Sequence, residues 1–261
     1  MIKVTSKKKP EASIVHDLQS ILPRLAAKDS SLWGVEAEAD AAVRLGWITS
    51  PEEALELLPK IDDFVAWANE HQLDRVVLCG MGGSSLAPEV ICRVYGKEIR
   101  ILDSTDPGQI HSAIFDRLPN TVVVISSKSG STIETASAMS AFESAFKTAE
   151  LSPLDHMIIV TDPDSPLANT AGAAGYRILT ADPTVGGRYS ALTAFGLLPS
   201  ALAGVNITEL ISDARSVMQI MSEPDSPAVI LAALLAEHEK TSAFFPRPSG
   251  SAAAARAGAT V

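Results

Sequence analysis

The stretch Gly80-Met81-Gly82-Gly83-Ser84-Ser85-Leu86-Ala87-Pro88-Glu89 stands between a short apolar run, residues 76–79, and a segment that can begin a helix. Glycines at a strand-to-helix turn let backbone N–H groups point at a bound anion, and the helix N-terminus adds a partial positive charge. We therefore interpret this stretch as the turn of a β-α unit that binds phosphate. A tight turn that only packs the helix on the sheet would use the same glycines, so that alternative stays open.

Two nucleotide-binding motifs fit this stretch less well. A dinucleotide-binding fingerprint would have glycine where Ser85 stands, and only Asp103 is placed to serve as the acidic residue that binds the ribose. A nucleotide P-loop requires Gly-Lys followed by Ser or Thr, and the stretch lacks that sequence. The stretch therefore fits a bound phosphate group better than it fits either nucleotide-binding motif.

Five short apolar runs alternate with amphipathic segments from Arg75 onward. Their hydrophobicity is continuous rather than alternating, which is typical of parallel strands covered by helices on both faces. The runs are residues 76–79, 99–102, 122–125, 157–160 and 176–179. Open parallel sheets bind their ligands outside the carboxyl ends of the strands. The sequence therefore predicts a three-layer α/β fold with a five-stranded parallel sheet and a ligand site at its carboxyl edge.

Helical patterns precede and follow the strands. Ser50-Pro51-Glu52-Glu53 is typical of a capping box with proline at the first helical position, and Pro59 predicts a kink or a division of that helix. Later helices are predicted over residues 192–203, 207–221 and 228–239. We expect a helical lead-in (1–70), a phosphate-binding domain (71–185), the helical start of a second domain (186–243) and a low-complexity tail (244–261).

Composition and charge restrict the partners. Counting 21 basic and 31 acidic residues gives a net charge of −10, which disfavours nonspecific binding to nucleic acid or to an anionic membrane. The longest apolar stretch, residues 228–236, is too short to span a bilayer, and the N-terminus lacks the apolar core of a signal peptide. Cys79 and Cys92 have neither metal-ligand spacing nor a disulfide framework. We expect a cytoplasmic protein that binds a small molecule and no metal.

A second hydroxyl-rich loop follows the third apolar run. Ser126-Ser127-Lys128-Ser129-Gly130-Ser131-Thr132 supplies several hydroxyls, one ammonium group and the N-terminus of the next predicted helix. Helix capping would account for one or two of these serines but not for the whole run with its lysine. Because this loop and the Gly80–Glu89 stretch follow neighbouring strands, we expect one phosphate group to be bound between them.

The third candidate element is Gly186-Gly187-Arg188-Tyr189-Ser190, which follows the fifth apolar run. Two glycines allow the backbone to approach a small ligand, while the guanidinium of the arginine reaches its oxygen atoms. Arginine in this setting is typical of a site where negative charge develops during a reaction. A surface turn would explain the same residues if they stood alone.

In this order and spacing, the three motifs resemble those of glucose-6-phosphate isomerases. The sequences Leu32-Trp33-Gly34 and Leu45-Gly46-Trp47 resemble those of the bacterial branch of this family, whose members are sometimes fused to transaldolase. The likeness runs from about Leu32 to Lys240 and contains no transaldolase portion. It implies a sugar-isomerase (SIS) fold, paired in the full enzyme with a second such domain, and allows a homodimer.

The resemblance also implies a reaction and roles for individual residues. The sugar ring opens and a proton then moves between adjacent carbons through an enediolate, without a metal or organic cofactor. By position, Arg188 would stabilise the enediolate oxygen and Gly187 would contact the substrate. The residues that would bind the phosphate are Gly83, Ser84, Ser127, Lys128, Ser129 and Thr132. Ser129-Gly130 stands where larger members have Thr-Phe, so the resemblance indicates the phosphate more firmly than the particular sugar.

The groups that move protons in this family are a glutamate, a histidine and a later lysine, all from the second domain. None of the five histidines matches such a motif; they are His16, His71, His111, His156 and His238. Glu237-His238-Glu239 is more typical of a solvated helix end than of an acid–base cluster. We therefore expect a truncated or frameshifted isomerase chain, and the alternative is a noncatalytic sugar-phosphate-binding module or sensor of the same fold.

Overall fold

The computed structural model describes residues 4–221, 223 and 225–236. The chain divides into two compact units, of which the larger, Pro23–Ile220, contains the whole sheet. The smaller unit is formed by the chain before Pro23 and the chain from Met221 onward. The predicted tail at 244–261 and the Glu237-His238-Glu239 cluster lie outside the described residues. None of the helices that the structure describes combines the length and the apolarity needed to cross a membrane.

A single five-stranded parallel sheet forms the centre of the larger unit, as the sequence predicts. Its strands are β1 (Arg75–Gly80), β2 (Arg100–Leu102), β3 (Thr121–Ser127), β4 (Met157–Thr161) and β5 (Arg177–Thr180). The spatial order is β2-β1-β3-β4-β5, and every neighbouring pair is parallel. Because β1 and β3 are neighbours although β2 separates them in sequence, the direction of winding changes between them. This position is the topological switch point of the sheet.

In the part of the chain that the structure describes, ten α-helices surround the strands or flank them in sequence. They are α1 (Ala12–Ala26), α2 (Glu38–Ala42), α3 (Ser50–Glu70), α4 (Gly83–Val94), α5 (Pro107–Phe115), α6 (Ile133–Thr148), α7 (Pro166–Ala174), α8 (Ala194–Leu202), α9 (Ile207–Met221) and α10 (Pro227–Ala236). Five short 3-10 helices occur between them; these are Ser30–Trp33, Gly46–Ile48, Leu118–Asn120, Pro153–Asp155 and Gly187–Leu192.

Alternation of side chains along the strands produces two hydrophobic cores, one on each face of the sheet. In β3, Val122 and Val124 point to one face, whereas Val123 and Ile125 point to the other. The first core contains side chains of α3, α4, α8 and α9, and the second contains side chains of α5, α6 and α7. Since both faces are covered, strands β3 and β4 are buried throughout, which explains their continuous apolar sequence.

The capping box predicted for α3 is wrong, and Pro59 does not divide the helix. The helix runs without a break from Ser50 to Glu70, although Pro59 lies inside it. Burial of Ile61 and Trp67 in the first core supplies packing that offsets the backbone hydrogen bond that proline cannot donate. The expected capping box also does not form, because the Ser50 hydroxyl donates to the carbonyl oxygen of Gly46 at 3.3 Å. Thr49 is the N-cap residue, and its hydroxyl donates to Glu53.

Candidate functional site

The carboxyl ends of four strands are aligned at one edge of the sheet. The strand register places Gly80 of β1 beside Ser126 of β3, and Ser127 beside Thr161 of β4. Thr161 in turn lies beside Thr180 of β5. All three candidate motifs begin at or after these strand ends, so the fold brings their backbones to the same edge. Two of the motifs flank the switch point between β1 and β3, where open α/β sheets bind their ligands.

The loop after β1 leads directly into α4. Gly82 is the N-cap residue of α4 and has a φ of 55°, a conformation that favours glycine. The Ser84 side chain is buried, and the Ser84 carbonyl oxygen accepts a 3.2 Å hydrogen bond from the Ser126 hydroxyl. This bond joins the start of α4 to the end of β3. The first helical turn of α4 is therefore fixed next to the second hydroxyl-rich loop.

Gly83 allows the third motif to approach the first. A Cβ atom at this position would overlap the carbonyl group of Gly187. The Ser190 hydroxyl also lies 3.3 Å from the Gly83 carbonyl oxygen and donates to the Gly187 carbonyl oxygen at 2.7 Å. The structure thus brings Gly83 and Gly187, both expected to contact the ligand, into direct backbone contact.

Three hydroxyls converge in the loop after β3. The Ser127 hydroxyl donates to the Thr132 hydroxyl at 3.2 Å, and the Ser129 hydroxyl lies 3.4 Å from the same oxygen atom. Ser127 also accepts a 3.2 Å hydrogen bond from the backbone N–H of Gly130. Thr132 is the N-cap residue of α6, yet its side chain does not accept a hydrogen bond from the helix. The first N–H groups of α6 therefore lack a side-chain cap and remain suited to an anion.

Lys128 is held by a different set of atoms. Its ammonium group forms a 2.7 Å ion pair with Oδ2 of Asp162, in the turn after β4. It also lies 3.4 Å from the carbonyl oxygens of Asp182 and Pro183, in the loop after β5. The ammonium that was expected to bind phosphate thus has a carboxylate as its partner in this structure.

Burial affects the Asp162 carboxyl more strongly than its cation does. Removal from water raises the pKa of Asp162, and the hydrogen bond and charge of Lys128 oppose that shift. The net direction is upward, because desolvation, together with the charge of Asp182, outweighs the opposing effects of Lys128 and Arg44 on this pKa.

Arg188 extends into solvent from the 3-10 helix Gly187–Leu192. The neighbouring Tyr189 stacks on Trp47, with ring centroids 5.4 Å apart. Position and exposure leave the guanidinium of Arg188 accessible to a ligand at this edge of the sheet.

Two groups of residues at this edge have no role in the predictions made from the sequence. Asp162 is one of them, and its position directly after the fourth apolar run was the available signal. The other group supports the loop after β5: Leu45 forms an antiparallel bridge with Val185, and the Gly46 N–H donates to the Thr184 carbonyl oxygen at 3.3 Å. The Leu45-Gly46-Trp47 motif is part of the family resemblance, which gives it no role at the site.

His71, His111 and His156 have structural partners, the ring of His111 being stacked on Phe115, and His16 lies in α1. His156 is buried immediately before the first residue of β4. Its Nδ1 lies 3.1 Å from the Thr121 carbonyl oxygen, and its ring stacks on Phe146. His71 ends α3, with Nδ1 2.9 Å from the Trp67 carbonyl oxygen. His238 lies outside the described residues.

Fold and site together define a doubly wound α/β domain with a candidate anion site at its switch point. The family model described as Phosphoglucose isomerase matches residues 63–245. The chain belongs to the phosphoglucose isomerase family, which confirms the resemblance inferred from its motifs.

Individual relatives agree with the family. A glucose-6-phosphate isomerase of Cyanothece sp. is 32% identical over 250 residues, which cover 82% of this chain and 47% of the relative. Among solved structures, a hypothetical protein from Thermus thermophilus is 28% identical and superimposes with a TM-score of 0.71 over 87% of this chain and 55% of that one. A glucose-6-phosphate isomerase from Chlamydia trachomatis shares the fold, with a TM-score of 0.66 at 21% identity over 86% of this chain and 49% of that one. The chain spans about half the length of the curated relatives it matches.

Proposed function

We propose that this chain binds the phosphate group of glucose 6-phosphate or fructose 6-phosphate and contributes that site to their interconversion. The convergence of the Ser127, Ser129 and Thr132 hydroxyls at the uncapped N-terminus of α6 carries the proposal. The oxygens of a phosphate group can together accept hydrogen bonds from all three hydroxyls and from the first helical N–H groups. Gly83 and Ser84 would complete the site from the α4 side, across the switch point.

Lys128 has two ways to serve such a site. Its backbone belongs to the phosphate-binding loop, whereas its ammonium is paired with Asp162. In the ligand-free protein that pair keeps the cation close to the loop and neutralises a carboxylate that would otherwise repel a dianion. Lys128 would thus favour phosphate binding even while it contacts Asp162.

The proposed reaction moves a proton between adjacent carbons of the open-chain sugar. Negative charge develops on the substrate oxygen as the enediolate forms, and a guanidinium can stabilise it. Arg188 is the exposed cation of the third motif and would take this role, with Gly187 allowing close approach. The proton itself requires an acid–base group, which the resemblance assigns to the second domain of the full enzyme.

Calorimetric titration tests the binding part of the proposal. Glucose 6-phosphate should bind measurably, whereas glucose should bind far more weakly, because the converging hydroxyls and N–H groups recognise the phosphate. Inorganic phosphate should compete with glucose 6-phosphate for the site. Equal affinities for the sugar and its phosphate would mean that these loops are structural turns.

A further inference from the structure

One ammonium group joins the ends of three consecutive strands. Lys128 lies in the loop after β3, its ion-pair partner Asp162 lies after β4, and the two carbonyl oxygens at 3.4 Å belong to residues after β5. We refer to residues 182–186, which carry these two carbonyls and lead to Gly187 and Arg188, as the 182–186 loop. A distance of 3.4 Å is long for a hydrogen bond, so the attraction to the carbonyls is mainly that of a charge for two dipoles.

Asp162 and Lys128 are bound mainly to each other. The side chains are 17% and 21% exposed, respectively, so water screens their attraction less than it does at the surface. The second carboxylate oxygen of Asp162, Oδ1, is buried and has no hydrogen-bond partner among the described residues. The structure therefore shows the Asp162 carboxylate engaged through one oxygen atom, and that oxygen contacts the ammonium.

The opposite side of the 182–186 loop rests on the segment before α3. A Cβ atom on Gly46 would overlap the Thr184 hydroxyl, and the Gly46 N–H donates to the Thr184 carbonyl oxygen. The loop is thus enclosed between this segment and the Lys128 ammonium. Its internal bonds, including that from the Thr184 N–H to the Asp182 carboxylate at 2.8 Å, fix its turn but not its position on the sheet.

We propose that Asp162 is a positioning residue that, through Lys128, fixes the 182–186 loop and thereby the placement of Arg188. Without the Asp162 carboxylate, the mostly buried ammonium loses its 2.7 Å ion pair, and the nearby Asp182 charge does not form such a contact with it. The ammonium then moves toward water, away from the carbonyls of Asp182 and Pro183. The loop then loses its contact on that side. The consequence for catalysis rests on the proposed function, whereas the fixation of the loop does not.

Amide hydrogen exchange of the ligand-free chain, followed by mass spectrometry, tests the fixation directly. In Asp162→Asn, peptides covering residues 182–190 should exchange about tenfold faster than in the wild type, while peptides of β3 keep their protection. Asp162→Glu, which retains the charge, should restore most of the protection. Asp74→Asn is the matched control, because it breaks the exposed Asp74–Arg117 ion pair and should leave residues 182–190 unchanged.

Two results would overturn the proposal: unchanged exchange of residues 182–190 in Asp162→Asn, or faster exchange that is equal in β3 and in the loop. The second result would mean that Asp162 contributes to global stability only.

Lys128→Met should reproduce the local effect of Asp162→Asn, and the double variant should add little to either single change. Additive effects would show that the two side chains act separately. Since no ligand is present, a failure of sugar-phosphate binding would leave these outcomes unaffected.

Discussion

Gly83 and Gly187 meet backbone to backbone, so that the first helical turn after β1 and the arginine-bearing motif after β5 form one surface. The contact depends on the absence of a side chain at position 83. The Ser190 hydroxyl, which lies near the carbonyl oxygens of both glycines, strengthens it. Two motifs that are distant in sequence consequently have a fixed relative position at the candidate site.

We expect Gly83→Ala to destabilise the protein by about 1–3 kcal/mol, because its Cβ would overlap the Gly187 carbonyl and force the two motifs apart. Urea unfolding followed by circular dichroism measures the loss. Gly187→Ala is the matched control, since a Cβ there would meet no atom within 4 Å and should have little effect on stability. Equal losses in the two variants would contradict the inferred contact.

Ser129→Ala combined with Thr132→Ala should raise the dissociation constant of glucose 6-phosphate by about tenfold or more, because each hydroxyl is expected to donate to a charged phosphate oxygen. Calorimetric titration provides the measurement. The control is Ser216→Ala on α9, where the hydroxyl bonds to the Ser212 carbonyl oxygen of the same helix at 3.0 Å. Unchanged affinity in the double variant would place the phosphate elsewhere.

The chain alone should interconvert fructose 6-phosphate and glucose 6-phosphate poorly. General acid–base groups each contribute about 10²- to 10⁴-fold to such reactions, and the resemblance assigns them to a second domain. A coupled assay that detects glucose 6-phosphate measures the rate, with Arg188→Ala as the control. Turnover typical of a complete isomerase that disappears in Arg188→Ala would reveal a base within this sequence.

Tyr176→Phe should lower the free energy of unfolding by about 1–2 kcal/mol at about pH 8, because the phenol donates to the Glu143 carboxylate. Burial, followed by the hydrogen bond to Glu143, raises the pKa of Tyr176. A raised pKa means that this stabilisation is complete below the ordinary tyrosine pKa and is lost as the pH rises through the folded value. The difference between wild type and variant should therefore shrink in strongly alkaline solution.

Urea unfolding at a series of increasingly alkaline pH values measures that difference. Tyr189→Phe is the control, because phenylalanine retains the stacking on Trp47. A difference between Tyr176→Phe and the wild type that stays constant at all pH values would exclude the phenol–carboxylate bond as its source.

The sheet and the family were predictable from sequence because their signals are local. A strand that is buried on both faces must be apolar along its whole length, and the sequence of Val122 to Ile125 shows this directly. The hydroxyls of Ser127, Ser129 and Thr132 are also close in sequence, so their convergence follows from one turn and one helix start. Motifs of this kind carry their geometry in a few consecutive residues.

Only the tertiary structure determines which side chains from separate strands contact each other. The sequence indicates a cation at Lys128 and an acid at Asp162, but only the order and register of β3, β4 and β5 bring their side chains within 2.7 Å. Likewise, Pro59 predicts a kink or a division of α3 from local backbone chemistry, whereas packing of the helix against the sheet keeps it undivided. Local sequence determines turns and buried strands through short-range sterics and hydrophobicity. Contacts between distant loops depend on how the whole sheet is assembled, which no single segment specifies.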